Sequence, residues 1–301
     1  MVTTLKGMVL VPGGSFVMGS ADFYPEERPP RRSEVGDLWV DEHPVTNAQF
    51  QEFVDDTGRV TVAELAPDLE DFPGADPADL VPGSQVFVGT PGPVPLDDWT
   101  RWWSWAPGAD WRHPLGPADS LQGREEHPVV HVGYEDALAY ASWVGGSLLT
   151  EAEWEHAARG GLSGAIYPWG DELMPGGRIV ANTWHGQFPY QKLSAPGMDR
   201  TTPVRRYPPN GYGLFDVVGN VWEWTRSPWT ADHSAAAAVA VTHSCCAPTT
   251  PALIETDRRV MKGGSHLCAP SYCRRYRPAA RQGQAIRSTT GHLGFRCGRP
   301  A

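Results

Sequence analysis

Apolar residues recur at helical spacing in three stretches of this chain and alternate with polar ones in several shorter runs. Thr46 stands as an N-cap ahead of Phe50, Phe53 and Val54, and Gly58 offers a stop, which predicts an amphipathic helix. A second helix is expected over about residues 135–143, ending at Gly145 and Gly146. In the third stretch Thr150 and Glu153 have capping-box spacing before Trp154, Ala157 and Ala158, with Gly160 and Gly161 closing it. The last two helices are expected to pair. Short β-like runs occupy 8–11, 15–18, 38–40, 129–132, 217–224 and 293–297, and turn chemistry fills most of the rest.

No composition break or fixed-period repeat divides the 301 residues, so one domain is expected. Segments 67–95 and 234–251 read as long surface excursions, the second carrying Cys245 and Cys246 as incidental thiols. With 33 Gly, 29 Pro and 13 Trp, the fold is expected to be loop-rich, with large aromatic side chains supplying core area from few positions. A formal charge of −10 excludes the electrostatic footprint of a nucleic-acid or anionic-membrane partner. No apolar run is long enough for a membrane span and the N-terminal residues do not read as a secretory signal, so a cytoplasmic protein is expected. Five cysteines, unevenly placed, do not make a disulfide framework.

Cys268 and Cys273 are the informative pair. Positions i and i+5 face opposite sides of a strand and lie apart on a helix, so thiols meant to meet need a bend, which Pro270 can supply. Such a pair can form a small-loop disulfide, remain as two free core thiols, or hold a soft, low-coordinate metal such as Cu(I). Gly263 and Gly264 permit close backbone approach, Ser265 offers a hydroxyl, and Arg274, Arg275 and Arg277 favour thiolate if they point inward. Zinc is the weaker choice, since no further Cys or His pair with ligand spacing accompanies the loop. His127 and His131 flank Pro128 on an extended segment and read as structural.

The run 262–277 resembles the active-site loop of the formylglycine-generating enzymes, through Lys262, Gly263, Gly264, Ser265, Cys268, Tyr272, Cys273, Arg275, Tyr276 and Arg277. The resemblance continues through 11–19, 43–50, 150–155, 210–215, 219–224 and 294–297, and so covers nearly the whole chain. It implies an α+β, loop-rich single domain over 1–301, related to C-type lectin-like folds and low in regular secondary structure. It also implies an O2-using, copper-dependent oxidase that converts the cysteine of a Cys-x-Pro-x-Arg motif in an unfolded sulfatase to Cα-formylglycine, with a thiol reductant. By position, Cys268 and Cys273 become Cu(I) ligands, and Ser265 and Trp222 line the oxygen and substrate-thiol pocket. Trp102, Trp103 and Arg124 fall in the family's cleft-lining stretch, and Asp119 offers a carboxylate for the substrate arginine. Structural Ca²⁺ is implied at Asp216, Gly219, Val221 and Glu223. A second calcium site begins at Asn182 and Thr183, but the family's closing Glu-Asp-Gly is absent, and 195–199 reads Ala-Pro-Gly-Met-Asp. The alternatives are a non-catalytic binding member of the fold with Cys268 and Cys273 as a disulfide, or an oxidase of another thiol.

Overall fold

The computed structural model describes residues 7–69, 74, 76–194, 199–233 and 258–301. Cys245 and Cys246 lie outside them. Strands in chain order are β1 (Met8–Val11), β2 (Gly14–Met18), β3 (Arg31–Val35), β4 (Leu38–Asp41), β5 (Gly83–Phe87), β6 (Trp103–Pro107) and β7 (Ser147–Leu148). They continue as β8 (Gly186–Gln187), β9 (Gln191–Lys192), β10 (Trp222–Pro228), β11 (Arg258–Lys262), β12 (Arg281–Ala285), β13 (Leu293–Gly294) and β14 (Cys297–Pro300). The helices are α1 (Asn47–Thr57), α2 (Tyr134–Trp143) and α3 (Glu151–Arg159).

Each helix starts where its cap chemistry dictates. Gln49 N–H donates to the Thr46 hydroxyl while the Gln49 side chain accepts from Thr46 N–H, and Gly58 ends α1 in the left-handed region at φ +66°. Thr150 and Glu153 make the same reciprocal pair at α3, and Gly160 ends it at φ +59°. The buried face of α1 sets Phe50 and Phe53 against Trp111, Tyr140 and Phe295. The expected pairing of α2 with α3 is not what forms: α2 lies against α1 and β7, while α3 packs on β2, β3, β10 and β11. The reason is Trp154, which joins Val11, Leu38, Val40 and Leu214 in a second apolar cluster.

Two four-stranded sheets carry the fold. One runs β1-β4-β14-β7, antiparallel throughout; the other runs β12-β11-β10-β13, with β10 and β13 parallel. Hairpins β2-β3, β5-β6 and β8-β9 complete the described strands. The strand expected over 217–224 begins only at Trp222, because Asp216, Gly219 and Asn220 sit at φ +52°, +77° and +58° and make a tight loop instead. The run 129–132 does not form a strand, and His131 stands at φ +61°. The excursion expected over 67–95 contains β5, which pairs in register with β6.

Asp41, at the end of β4, accepts the Cys297 N–H at 2.8 Å, and burial pushes its carboxyl up from 3.8 to about 6. The folded state therefore binds this proton more tightly than the unfolded chain, so the contribution is full below about pH 4 and is lost as pH rises through about 6. Wild type should lose stability relative to Asp41→Asn between pH 4 and pH 6, read as urea midpoints; parallel pH profiles would refute this.

Candidate active site

Between β11 and β12 the chain makes a compact loop. Cys268 N–H donates to Ser265 O at 2.9 Å and Cys273 N–H donates to Ala269 O at 2.9 Å, so two successive turns replace the strand or helix geometry that would keep the thiols apart. The two Sγ atoms stand 3.0 Å apart, both thiols free and buried. That is contact, well beyond the roughly 2.05 Å of a disulfide. Ser265 N–H points at Cys268 Sγ at 3.3 Å, and its hydroxyl accepts from Leu267 N–H at 3.2 Å. Gly264 sits at φ +69°, where a Cβ would lie 2.8 Å from Tyr276 N, so only glycine lets the start of the loop close on its own returning segment.

The thiols differ in character. A hydrogen bond from Cys268 holds Cys273 below the ordinary thiol range, and the Arg275 charge adds to that effect. Burial pushes Cys268 well up. The first proton leaves the pair more readily than it leaves an ordinary thiol, because the second thiol and the Arg275 charge hold the thiolate.

The pair opens onto a cavity of about 560 Å³. One wall is aromatic, with Trp99, Trp102, Trp103, Phe188 and Tyr272; Tyr272 stacks on Phe188 with ring centroids 4.6 Å apart. Another carries Arg258, Gln282, Gln284 and Ser288. Trp222 and Ser265, both buried, line the same cavity, as do Cys268 and Cys273. The fold therefore brings together Cys268, Cys273, Ser265, Trp222, Trp102 and Trp103. It leaves Asp119 and Arg124 elsewhere: they pair with each other, and Arg124 lines a separate depression with Asn47, Pro114 and Arg200. Among the described lining residues none is acidic. Sequence reasoning missed Phe188, His292 and the three glutamines Gln85, Gln282 and Gln284, which reach the site from β5, β12 and loops that carry no motif signal. His131 stays structural, with Nδ1 on Ser84 Oγ at 2.6 Å and Nε2 on Pro114 O at 3.0 Å.

The sulfatase-modifying factor enzyme 1-like domain model matches residues 1–301. The chain belongs to the sulfatase-modifying factor enzyme family. Within this family it is 54% identical over 295 residues to the formylglycine-generating enzyme of Mycobacterium tuberculosis, spanning 97% of both chains. It is 45% identical to the formylglycine-generating enzyme of Thermomonospora curvata, over 97% of this chain and 93% of the relative. The structure of PvdO from Pseudomonas aeruginosa superposes with a TM-score of 0.62 at 23% identity, covering 98% of this chain and 94% of PvdO, which is a likeness of fold.

Family membership raises the question of metals. The cysteine pair fits a soft monovalent ion: two free thiols in contact, with no carboxylate lining the cavity. Loop 216–221 fits a hard cation through Asp216, a buried carboxyl pushed up to about 6 by desolvation and held by the Arg205 N–H at 2.9 Å and a long contact from Asn220. Glu223, expected as its partner, is held by Arg296, which donates to both its oxygens at 2.7 and 2.8 Å, and by Trp154 Nε1. Of the stretch expected to close a second site with Asn182 and Thr183, residues 195–198 lie outside the described residues. The Asn182 amide nitrogen donates to Arg200 O and Asn220 Oδ1, its carbonyl accepts the Asn220 N–H, and the Lys192 ammonium already sits on Asp199 O at 3.0 Å. Among the described residues no three His, Cys, Asp or Glu side chains converge. No helix among them is long and apolar enough to cross a membrane.

Proposed function

We propose that this chain oxidises the cysteine of a Cys-x-Pro-x-Arg segment in a sulfatase polypeptide to Cα-formylglycine, with O2, a thiol reductant and Cu(I) held by Cys268 and Cys273. The observation that carries the reading is the pair of free, buried thiols 3.0 Å apart at a cavity large enough for several residues of extended peptide. The identity of 54% to a formylglycine-generating enzyme supports the reaction class. A CH2SH group, O2 and two reducing equivalents with two protons give CHO, hydrogen sulfide and water, so the reductant is consumed in each turnover.

Cu(I), when bound, supplies a redox-active centre and a soft seat for the substrate thiolate. The chain's own residues do the rest. Trp102, Trp103 and Tyr272 give flat apolar contact to an extended peptide. Gln85, Gln282 and Gln284 offer neutral oxygens to the substrate arginine, since Asp119 is tied to Arg124 away from the cavity. The hydroxyl hydrogen of Ser265 and the buried edge of Trp222 shape the space beside the thiols. Calcium, in this reading, binds at Asp216 with the carbonyls of Gly219 and Val221 and leaves Glu223 to Arg296. The setting is a reducing compartment such as the cytoplasm, in keeping with three free cysteines among the described residues.

The test follows the mass of a peptide containing Leu-Cys-Thr-Pro-Ser-Arg mixed with copper-loaded protein, thiol reductant and air. Loss of CH2SH for CHO, trapped as an oxime, is the expected result, and Ser265→Ala should slow it at least about tenfold with the Tm unchanged. A folded, copper-loaded protein that leaves the peptide intact would sink the proposal.

A further inference from the structure

The segment Phe23, Tyr24, Glu26 and Glu27 is fastened across the back of the cysteine loop by four arginines. Arg275 Nη2 reaches Glu26 Oε1 at 2.6 Å, and its guanidinium lies over the Tyr24 ring at 3.8 Å. The Tyr24 hydroxyl accepts the Arg274 N–H at 3.0 Å. Arg277 is fully buried on Glu27, donating at 2.9 and 2.5 Å, and lies over Phe23 at 3.6 Å. Arg281 completes the fastening at the Glu26 carbonyl, 3.2 Å away.

These arginines are not equivalent. Arg277 and Arg281 have their charges met by buried carboxylates, Glu27 and Glu151. Arg275 lines the same cavity as both thiols and follows Cys273 by two residues. Its carboxylate, Glu26, holds one end, while its Nε–H is buried without a partner. A guanidinium stacked, clamped at one nitrogen and left with an unsatisfied donor is a preorganised charge waiting for an anion. The anion is at hand. When two thiols take up Cu(I), two protons leave and the neutral pair becomes a complex of net charge −1; a substrate thiolate adds a further negative charge.

We infer that Arg275, aimed by Glu26 and Tyr24, is the positioning residue and fixed counter-charge of the cysteine pair, stabilising the anionic dithiolate complex against the protonated thiols. Arg275 touches neither the metal nor the reacting carbon; it acts through Cys273. The assignment rests on the copper reading above and adds to it the outer residues that set how tightly the metal is held. Such outer partners typically account for about 10- to 100-fold in metal affinity.

The experiment is an anaerobic competition for Cu(I) against a chromophoric chelator, run on wild type, Cys268→Ser, Arg275→Gln, Arg275→Lys and Glu26→Gln, with the Tm recorded for each. Wild type should bind one Cu(I) that Cys268→Ser loses. Arg275→Gln should bind about 10- to 100-fold more weakly, Arg275→Lys should recover part of the loss because it restores the charge, and Glu26→Gln should fall between. Should Arg275→Gln fail to fold, the near-isosteric Glu26→Gln and the charge-retaining Arg275→Lys carry the comparison. Wild-type affinity in folded Arg275→Gln, or in Glu26→Gln if only that variant folds, overturns the inference and leaves the copper reading standing. Absence of cysteine-dependent Cu(I) binding in wild type overturns both.

Discussion

Cys273→Ala is expected to lower kcat/KM for the peptide by about 10³-fold or more while moving the Tm by only a few degrees. The reason is that the two thiols act as a unit: one soft donor removed leaves a single thiol, and neither Ser265 nor Trp222 can replace it. Stability should change little because the lost atom is one sulfur in a well-walled core, at a cost of about 1 kcal/mol. Cys268→Ala should be as severe, and the double variant no worse than either alone, since both destroy the same seat. Turnover within tenfold of wild type in either single variant, measured by aldehyde formation, would defeat the assignment.

The second large effect is on stability. Lys262 opens the loop that carries the cysteines, yet its ammonium points away from the cavity into a fully buried ionic cluster. It donates to Glu155 Oε2 at 3.0 Å and stands 3.5 Å from Glu151 Oε1. Glu155 also takes Gly19 N–H and Arg159, and Glu151 takes Arg281 at 2.7 and 3.0 Å. Burial would raise the Glu151 carboxyl, but Lys262 and Arg281 outweigh it and hold it well below the usual range. Lys262→Met removes the ammonium shared by two buried carboxylates and leaves each with one guanidinium, Glu155 with Arg159 and Glu151 with Arg281, so the cost is that of the lost charged hydrogen bond, about 1.5–3 kcal/mol in urea unfolding. Adding Glu155→Leu should deepen the loss, because it strands the buried Arg159 guanidinium without its carboxylate. A single-variant cost below about 1 kcal/mol, or recovery of stability in the double variant, would mean that the ammonium adds nothing to the two arginine pairs.

Much of this was legible in the sequence because it is written locally. Thr46 with Gln49, Thr150 with Glu153, and the glycines at 58 and 160 act within a few residues, so the helices stand where their caps put them. The cysteine pair was legible for the same reason: a separation of five residues admits only a turn. What escaped depends on distant partners. Glu223 looks like a metal ligand in its own segment and becomes the partner of Arg296 once β10 meets β13. Asp119 looks like a substrate carboxylate and pairs with Arg124 instead. The hairpin of β5 and β6 has no clean alternation to announce it, since Trp103 is half-buried and Trp105 exposed while Val86 is buried, and it borrows its support from Thr289 and Thr290 across the cleft.

The fastening of residues 23–27 to residues 274–281 has a consequence in time as well as in space. Its bonds join positions about 250 apart along the chain, as do those of β4 with β14. Contacts of such separation form late, because the closing of so large a loop must precede any reward for it. At about 5–20 residues per second a ribosome delivers the amino end tens of seconds before its partners, so the fastening closes only after synthesis has passed Arg281. Until then Glu26 and Glu27 stand without the guanidiniums that meet them in the folded protein.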